Sequence, residues 1–163
     1  MDRDEFRAAF ELHKNAVYRF AWRMTNSPEA AEDVAQEAFL SLWKGGFDTS
    51  RGELRGYLFG AARNQVRKRW RDASRWAELD EDAFVVPAVD GFETSEAVEA
   101  AVRALPPLQR EVLVLSEYED LSLEEIARAV GAEVGTVKSR LFRARENLRR
   151  ALSPLREVNH ERR

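Results

Sequence analysis

Between Thr136 and Arg156 seven bases stand against one acid, and among them Val137, Leu141, Ala144 and Leu148 recur every three or four residues. That spacing puts the apolar set on one face of a helix and leaves Lys138, Ser139, Phe142 and Arg143 projecting together near its N-terminal end. Arginine and lysine pair bidentately with guanine, serine bonds several base edges, and phenylalanine touches a thymine methyl. Arg140, Arg145 and Arg149 suit phosphates, which position a helix without reading sequence. Upstream lies Ser122-Leu123-Glu124-Glu125, a Ser-x-x-Glu pattern in which each side chain satisfies an orphan backbone donor at a helix start. An apolar face of Leu123, Ile126, Ala127 and Val130 follows, then Gly131. Helix, glycine turn and basic helix read as a helix-turn-helix. An Arg-rich solvated helix closing a bundle is the competing account. The capping box, the turn glycine and the one-sided charge together favour DNA.

A second cationic stretch, Arg51 to Arg71, carries seven bases against one acid and interleaves them, on to Trp76, with Tyr57, Phe59, Trp70 and Trp76. Bases neutralise phosphates while aromatic faces stack unpaired nucleobases at ~1–3 kcal/mol each, so such a surface suits a single strand better than a closed duplex. The alternative, that Tyr57 and Phe59 are core and the bases solvated, stays open on composition. The segment Pro28 to Lys44 gathers Asp33, Gln36, Glu37 and Lys44 on one side, with Ser41 nearby; periodicity alone makes this a wet face. Nothing supports catalysis: there is no glycine-rich phosphate loop, no Ser/His/Asp arrangement and no metal-ligand spacing, so neither enzyme activity nor a cofactor is expected.

The elements that must hold these residues are helical throughout. Phe6, Phe10, Val17, Phe20 and Met24 share one stripe. Ser27 before Pro28 reads as an N-cap with proline at the first helical position. The helix it opens buries Ala31, Val34, Ala35, Ala38, Phe39 and Leu42 and stops at Gly45-Gly46. A third helix from about Glu53 to Arg71 turns Leu54, Leu58, Ala61 and Ala62 inward. Ala97, Val98, Ala101, Val102 and Leu105 form a further stripe, Pro106-Pro107 restart a helix carrying Leu108, Val112, Leu113 and Leu115, and Gly135-Thr136 opens the last one. The fold expected is all-α: an N-terminal helical bundle over 1–75 and a C-terminal helix-turn-helix four-helix domain over 95–155, joined by an acidic linker over 76–94. From Trp76 to Ala101 there are eight acids and no base. That alternation of charge motivates the expectation that the linker lies against a basic face and weakens DNA binding in the free protein. Its apolar patch Ala83-Phe84-Val85-Val86 is read as incidental packing or as a docking segment.

Composition bounds the rest. The chain has 163 residues, a formal net charge of −3 and no cysteine, which excludes disulfides, thiolate zinc and iron–sulfur clusters. Two histidines make an imidazole metal site improbable. No apolar run approaches the ~18 residues of a membrane span, and the opening MDRDEF lacks an apolar signal core; a soluble, cytoplasmic chain without membrane insertion is expected.

Three stretches together carry a resemblance: Glu32-Asp33-Val34-Ala35-Gln36-Glu37-Ala38-Phe39-Leu40-Ser41-Leu42-Trp43; Leu54-Arg55-Gly56-Tyr57-Leu58 through Arg63-Asn64; and Leu105-Pro106 through Gly135-Thr136-Val137-Lys138-Ser139-Arg140-Leu141 to Arg145. In this order and in so short a chain they resemble sigma factors of bacterial RNA polymerase, of the extracytoplasmic-function (ECF) subgroup. The resemblance implies that Asp33, Gln36, Glu37, Phe39, Leu40 and Trp43 meet the clamp helices of the polymerase. It implies that Arg55, Tyr57, Arg63, Asn64, Arg67, Lys68 and Arg71 read and melt the −10 element. Thr136, Lys138, Ser139, Arg140, Phe142, Arg143 and Arg145 would read the −35 element as duplex, in a domain that also docks on the polymerase flap. The linker would thread the polymerase between the two domains. Family members are commonly held by an anti-sigma factor, which adds a possible partner. Many members carry tryptophan where Tyr57 or its neighbours stand, which leaves open which aromatic supports the melted strand; Arg71-Asp72 vary in the family, so promoter sequence does not carry over. A stand-alone helix-turn-helix regulator, or a helical adaptor, are the rival readings of the residues alone.

Overall fold

The computed structural model describes residues 1–45, 47, 53–72 and 84–161, with the side chains of 71, 72 and 154–161 outside that description. Its helices are α1 (Arg3–Thr25), α2 (Pro28–Gly45), α3 (Leu54–Asp72), α4 (Thr94–Ala104), α5 (Pro107–Leu113), α6 (Leu123–Val130) and α7 (Val134–Glu161), and no strand occurs among the described residues.

The ends of these helices follow from local chemistry. Asp2 and Glu5 form a reciprocal capping box at the start of α1, and the Ala30 N–H donates to Ser27 Oγ at 3.2 Å to open α2. α1 stops at Asn26 in the left-handed region (φ 55°), where an asparagine is tolerated. The expected Ser122/Glu125 box is present, with bonds of 3.0 and 3.1 Å, and Gly131 closes α6 at φ 67°, a conformation that costs a glycine little. α7 begins at Val134, one residue before the expected start. The helix expected to carry Leu108 through Leu115 is not uniform: α5 ends at Leu113 and Val114–Tyr118 form a π-helical turn. This turn widens the backbone while Val114 and Leu115 stay buried.

α1, α2 and α3 enclose Val17, Phe20, Met24, Val34, Leu42, Leu58 and Val66, all essentially without solvent contact. Each large side chain so buried stabilises the fold by about 1.5–3 kcal/mol before entropy is charged. α4 to α7 enclose Leu105, Leu113, Leu115, Ile126, Val137 and Leu141. Phe10, expected in the α1 stripe, is instead partly exposed, because it belongs to an aromatic cluster on the rim. There Phe6 lies 5.0 Å from Trp43 and Phe10 5.0 Å from Phe39, both edge to face. Of the linker patch, Phe84 packs on the core, with the Arg150 guanidinium 6.0 Å over its ring, while Val85 is 83% exposed.

The two halves are packed against each other, chiefly α3 on α6. A Cβ at Gly60 would meet the Ala129 carbonyl oxygen at 3.4 Å, in ordinary van der Waals contact, so the two backbones pass close and leave room for little beyond a methyl group. Arg110 of α5 bolts the halves together. Its guanidinium donates to the Leu105 carbonyl at 2.9 Å and the Met24 carbonyl at 3.2 Å. One cation thus serves the ends of two helices, where unpaired carbonyls favour positive charge. Burial, with Arg103 adding to it, lowers its pKa to about 10, still charged at neutral pH.

Candidate nucleic-acid interface

α7 holds its apolar face against the second core through Val137, Leu141 and Ala144, with Leu148 half-buried. The seven residues expected to meet duplex DNA then fall on three adjoining strips, as 3.6 residues per turn requires. Ser139, Phe142 and Arg143 are the exposed outward strip; Phe142 is 65% exposed and edges the groove that Leu123 and Leu141 line. Lys138 and Arg145 flank it on one side, lining a shallow groove with Leu123, Leu141 and Arg149. Thr136 and Arg140 lie on the other, beside Arg128 and Gly131. Arg145 is tethered to Glu117 at 2.7 Å, and the Ser139 hydroxyl donates to the Gly135 carbonyl at 3.1 Å, which leaves its lone pairs available.

α3 is divided. Asn64, Lys68 and Arg69 face outward, and Arg69 reaches Asp33 of α2 at 3.0 Å. Arg55 and Arg63 turn toward the second half. Arg55 makes a bidentate pair with Glu125, both bonds 2.9 Å, and this holds the Glu125 carboxyl at about 2. Arg63 makes another with Glu111, at 2.9 and 3.2 Å, and Glu111 is fully buried. Burial pushes the Glu111 carboxyl up, against the pull of Arg63, Arg140 and Arg67. Arg67 is half-buried, with no partner for its Nε. Burial and the nearby Arg55 lower the His13 imidazole. Tyr57 is half-buried beside Phe47, ring centres 5.3 Å apart. Phe59 is core, edge to face with Phe20 at 5.7 Å, and so is unavailable for stacking; the sequence left that open. Trp70 is half-buried, with the Arg110 guanidinium 5.4 Å over its ring. Arg71 and Trp76 lie outside the described side chains.

On α2, Asp33, Gln36, Glu37, Leu40 and Trp43 are exposed along one side. Phe39, grouped with them by resemblance, is buried: it props Phe6 and Phe10 from beneath. Sequence reasoning missed Glu111 and Arg110 altogether. The available signal was the polar run Gln109-Arg110-Glu111 inside a helix whose other residues are apolar.

Two family models match, Sigma-70 region 2 over residues 9–76 and Sigma-70 region 4 over residues 95–148. The chain is 32% identical over 94% of its length, and 92% of the relative's, to the ECF RNA polymerase sigma factor SigW of Bacillus subtilis. The chain belongs to the ECF sigma factors. It is also 35% identical to the ECF sigma factor SigE of Mycolicibacterium smegmatis over 84% of its own length, spanning 57% of that relative. Among solved structures it is similar to the sigma factor RpoE of Bartonella quintana, crystallised with the anti-sigma factor NepR, at 29% identity and a TM-score of 0.70 over 91% of this chain and 97% of that one. CnrH, solved with the cytosolic domain of CnrY, shares the fold at 23% identity and a TM-score of 0.71. As an ECF sigma factor the chain serves transcription initiation. Its two-domain helical architecture is the one expected. No described helix is long and apolar enough to cross a membrane.

Proposed function

We propose that the chain divides its work among three surfaces, with domains at 1–75 and 95–155 and the linker of 76–94 between them. The exposed side of α2 (Asp33, Gln36, Glu37, Leu40, Trp43) binds core RNA polymerase. The outer strips of α7 (Thr136, Lys138, Ser139, Arg140, Phe142, Arg143, Arg145) read the −35 duplex. α3 (Arg55, Tyr57, Arg63, Asn64, Arg67, Lys68, Arg71) takes the −10 element as it opens. Holding an extruded base costs a few kcal/mol, which stacking and hydrogen bonds at α3 must offset. Chemistry stays with the polymerase, and the place of work is the cytoplasm where the polymerase is. The complex of RpoE with the anti-sigma factor NepR supports an anti-sigma factor as a further partner.

The observation that carries the reading is the separation of surfaces. The acidic and aromatic side of α2 is exposed together with the cationic strip of α7, so one chain can hold an enzyme and a duplex at once. Surface variants test it. Asp33→Ala with Trp43→Ala lowers affinity for core polymerase and leaves −35 duplex binding unchanged; Lys138→Ala with Arg143→Ala does the reverse. Tight duplex binding with no affinity for polymerase would replace this reading with that of a stand-alone regulator.

A further inference from the structure

Two of the cations lining the groove beside Phe142, Arg145 and Arg149, each meet an acid, and the two acids differ in what they are attached to. Arg149 pairs with Glu146, three residues away on α7 itself, so that pair travels with the helix. Arg145 instead reaches Glu117 at 2.7 Å, across 28 positions. Glu117 belongs to the π-helical turn of Val114–Tyr118, in which Val114 and Leu115 are buried. Their carbonyls accept from the Glu119 and Leu121 N–H groups at 3.2 and 3.0 Å, which fixes the turn. Glu119, two residues on, reaches Arg19 of α1 instead. α7 is itself pinned to α5 nearby, where Asn147 donates to the buried Gln109 at 2.7 Å. The backbone of Arg145 and the far end of its side chain are therefore both tied to the body of the second domain. The linker does not supply this acid: its Asp90 and Glu93 are exposed, and residues 76–83 lie outside the described part of the chain.

We propose that Glu117 is a positioning residue for duplex recognition: it holds one corner of the Arg145 guanidinium, fixes where along a duplex that arginine meets a phosphate, and so widens the preference of α7 for its own site. The inference rests on the assignment of α7 to the −35 element. A carboxylate beside a DNA-facing groove repels the phosphates of every sequence, so its presence costs affinity and is explained by what it adds to discrimination. An arginine carries five N–H donors in a rigid fork. The bond from Nη2 to Glu117 takes one of them and leaves the others for a phosphate. On a loose stem, that fork follows phosphates wherever the helix lands. Held by Glu117, it meets one only when α7 sits at a single depth and register. Phosphate contacts set register without reading bases, so restricting them favours the seat in which Ser139, Phe142 and Arg143 also meet base edges. Both side chains are about half exposed, 48% and 51%, so the tether is weak and its effect is a few-fold.

The test uses the full chain, alone or assembled with core polymerase, and two labelled duplexes: a pool of mixed sequence, and a duplex enriched from that pool by the unaltered chain. Fluorescence anisotropy gives the affinity for each across a salt series. Glu117→Ala should bind the mixed pool more tightly at low salt. Its log affinity should fall with log salt more steeply by about 0.9, the share of one further phosphate. Its preference for the enriched duplex over the pool should drop about two- to fivefold, the range a weak exposed pair can supply. In an Arg145→Ala background the same change should alter the preference less than twofold, because nothing remains to be held. Glu117→Gln keeps an accepting oxygen at the same reach without the charge, and should recover most of the preference. An unchanged preference in Glu117→Ala, an equal loss with and without Arg145, or a glutamine variant as poor as the alanine one would each overturn the positioning role. Failure of the unaltered chain to enrich any duplex, or enrichment that survives Lys138→Ala with Arg143→Ala, would instead overturn the assignment of α7.

Discussion

Removing the Arg63 guanidinium strands a charge that has no access to water. Glu111 is fully buried, and in Arg63→Leu it loses both bonds, of 2.9 and 3.2 Å. Hydrogen bonds to charged groups contribute about 1.5–3 kcal/mol each, and breaking a buried pair from one side costs about 3–5 kcal/mol. The lower part of that range applies, because Arg67 and Arg140 also pull on the carboxylate. With a urea slope of ~2 kcal/mol per molar, the unfolding midpoint should fall by ~1.5–2 M, followed through the fluorescence of Trp70 beside Arg110. Arg63→Lys should recover only part of the loss, since a lysine cannot make two parallel bonds. Arg63→Leu combined with Glu111→Gln should lie well above the single variant, because the unpaired charge is gone. A single variant within ~1 kcal/mol of the parent, and unchanged in hydrodynamic radius, would refute the reasoning.

Three further outcomes follow from the same geometry. Phe20→Ala, which empties a fully buried site against Phe59, should cost about 3–5 kcal/mol in denaturant unfolding. Ser122→Ala removes the oxygen that accepts from the Glu125 N–H and should cost about 0.5–2 kcal/mol, read as a lower thermal midpoint. Glu125 has its carboxyl lowered from 4.5 to about 2, chiefly by its bond from Arg55. Its stabilisation is therefore complete above pH ~4.5 and drains away as pH falls toward 2. An acid titration of stability should lose part of its slope below pH 4.5 in Glu125→Gln, and an unchanged curve would remove Glu125 from the acid limb.

Helices and their ends were readable wherever a short-range rule decides them. The Ser122/Glu125 box, Ser27 before Pro28 and the Gly131 stop all rest on residues within one turn of each other. The Asp2/Glu5 box obeys the same rule, though the opening MDRDEF is weighed in the sequence only for an apolar signal core. What could not be read depends on distant pairing. Arg63 finds Glu111 across 48 positions and Arg55 finds Glu125 across 70, and Glu125 serves its local cap and the far arginine with the same carboxylate. Phe39 shows two signals in conflict: its apolar period says core, its motif says partner surface, and packing under Phe6 and Phe10 settles it as core. The π-helical turn at Val114–Tyr118, with Val114 and Leu115 buried, has no glycine or proline within it to mark it in the sequence.

The most direct measurement is single-round transcription by purified core polymerase on a library of promoters, with and without this chain. Start sites that appear only when the chain is added, and vanish with Lys138→Ala plus Arg143→Ala, are the predicted result. An identical set of start sites with and without it would contradict the account.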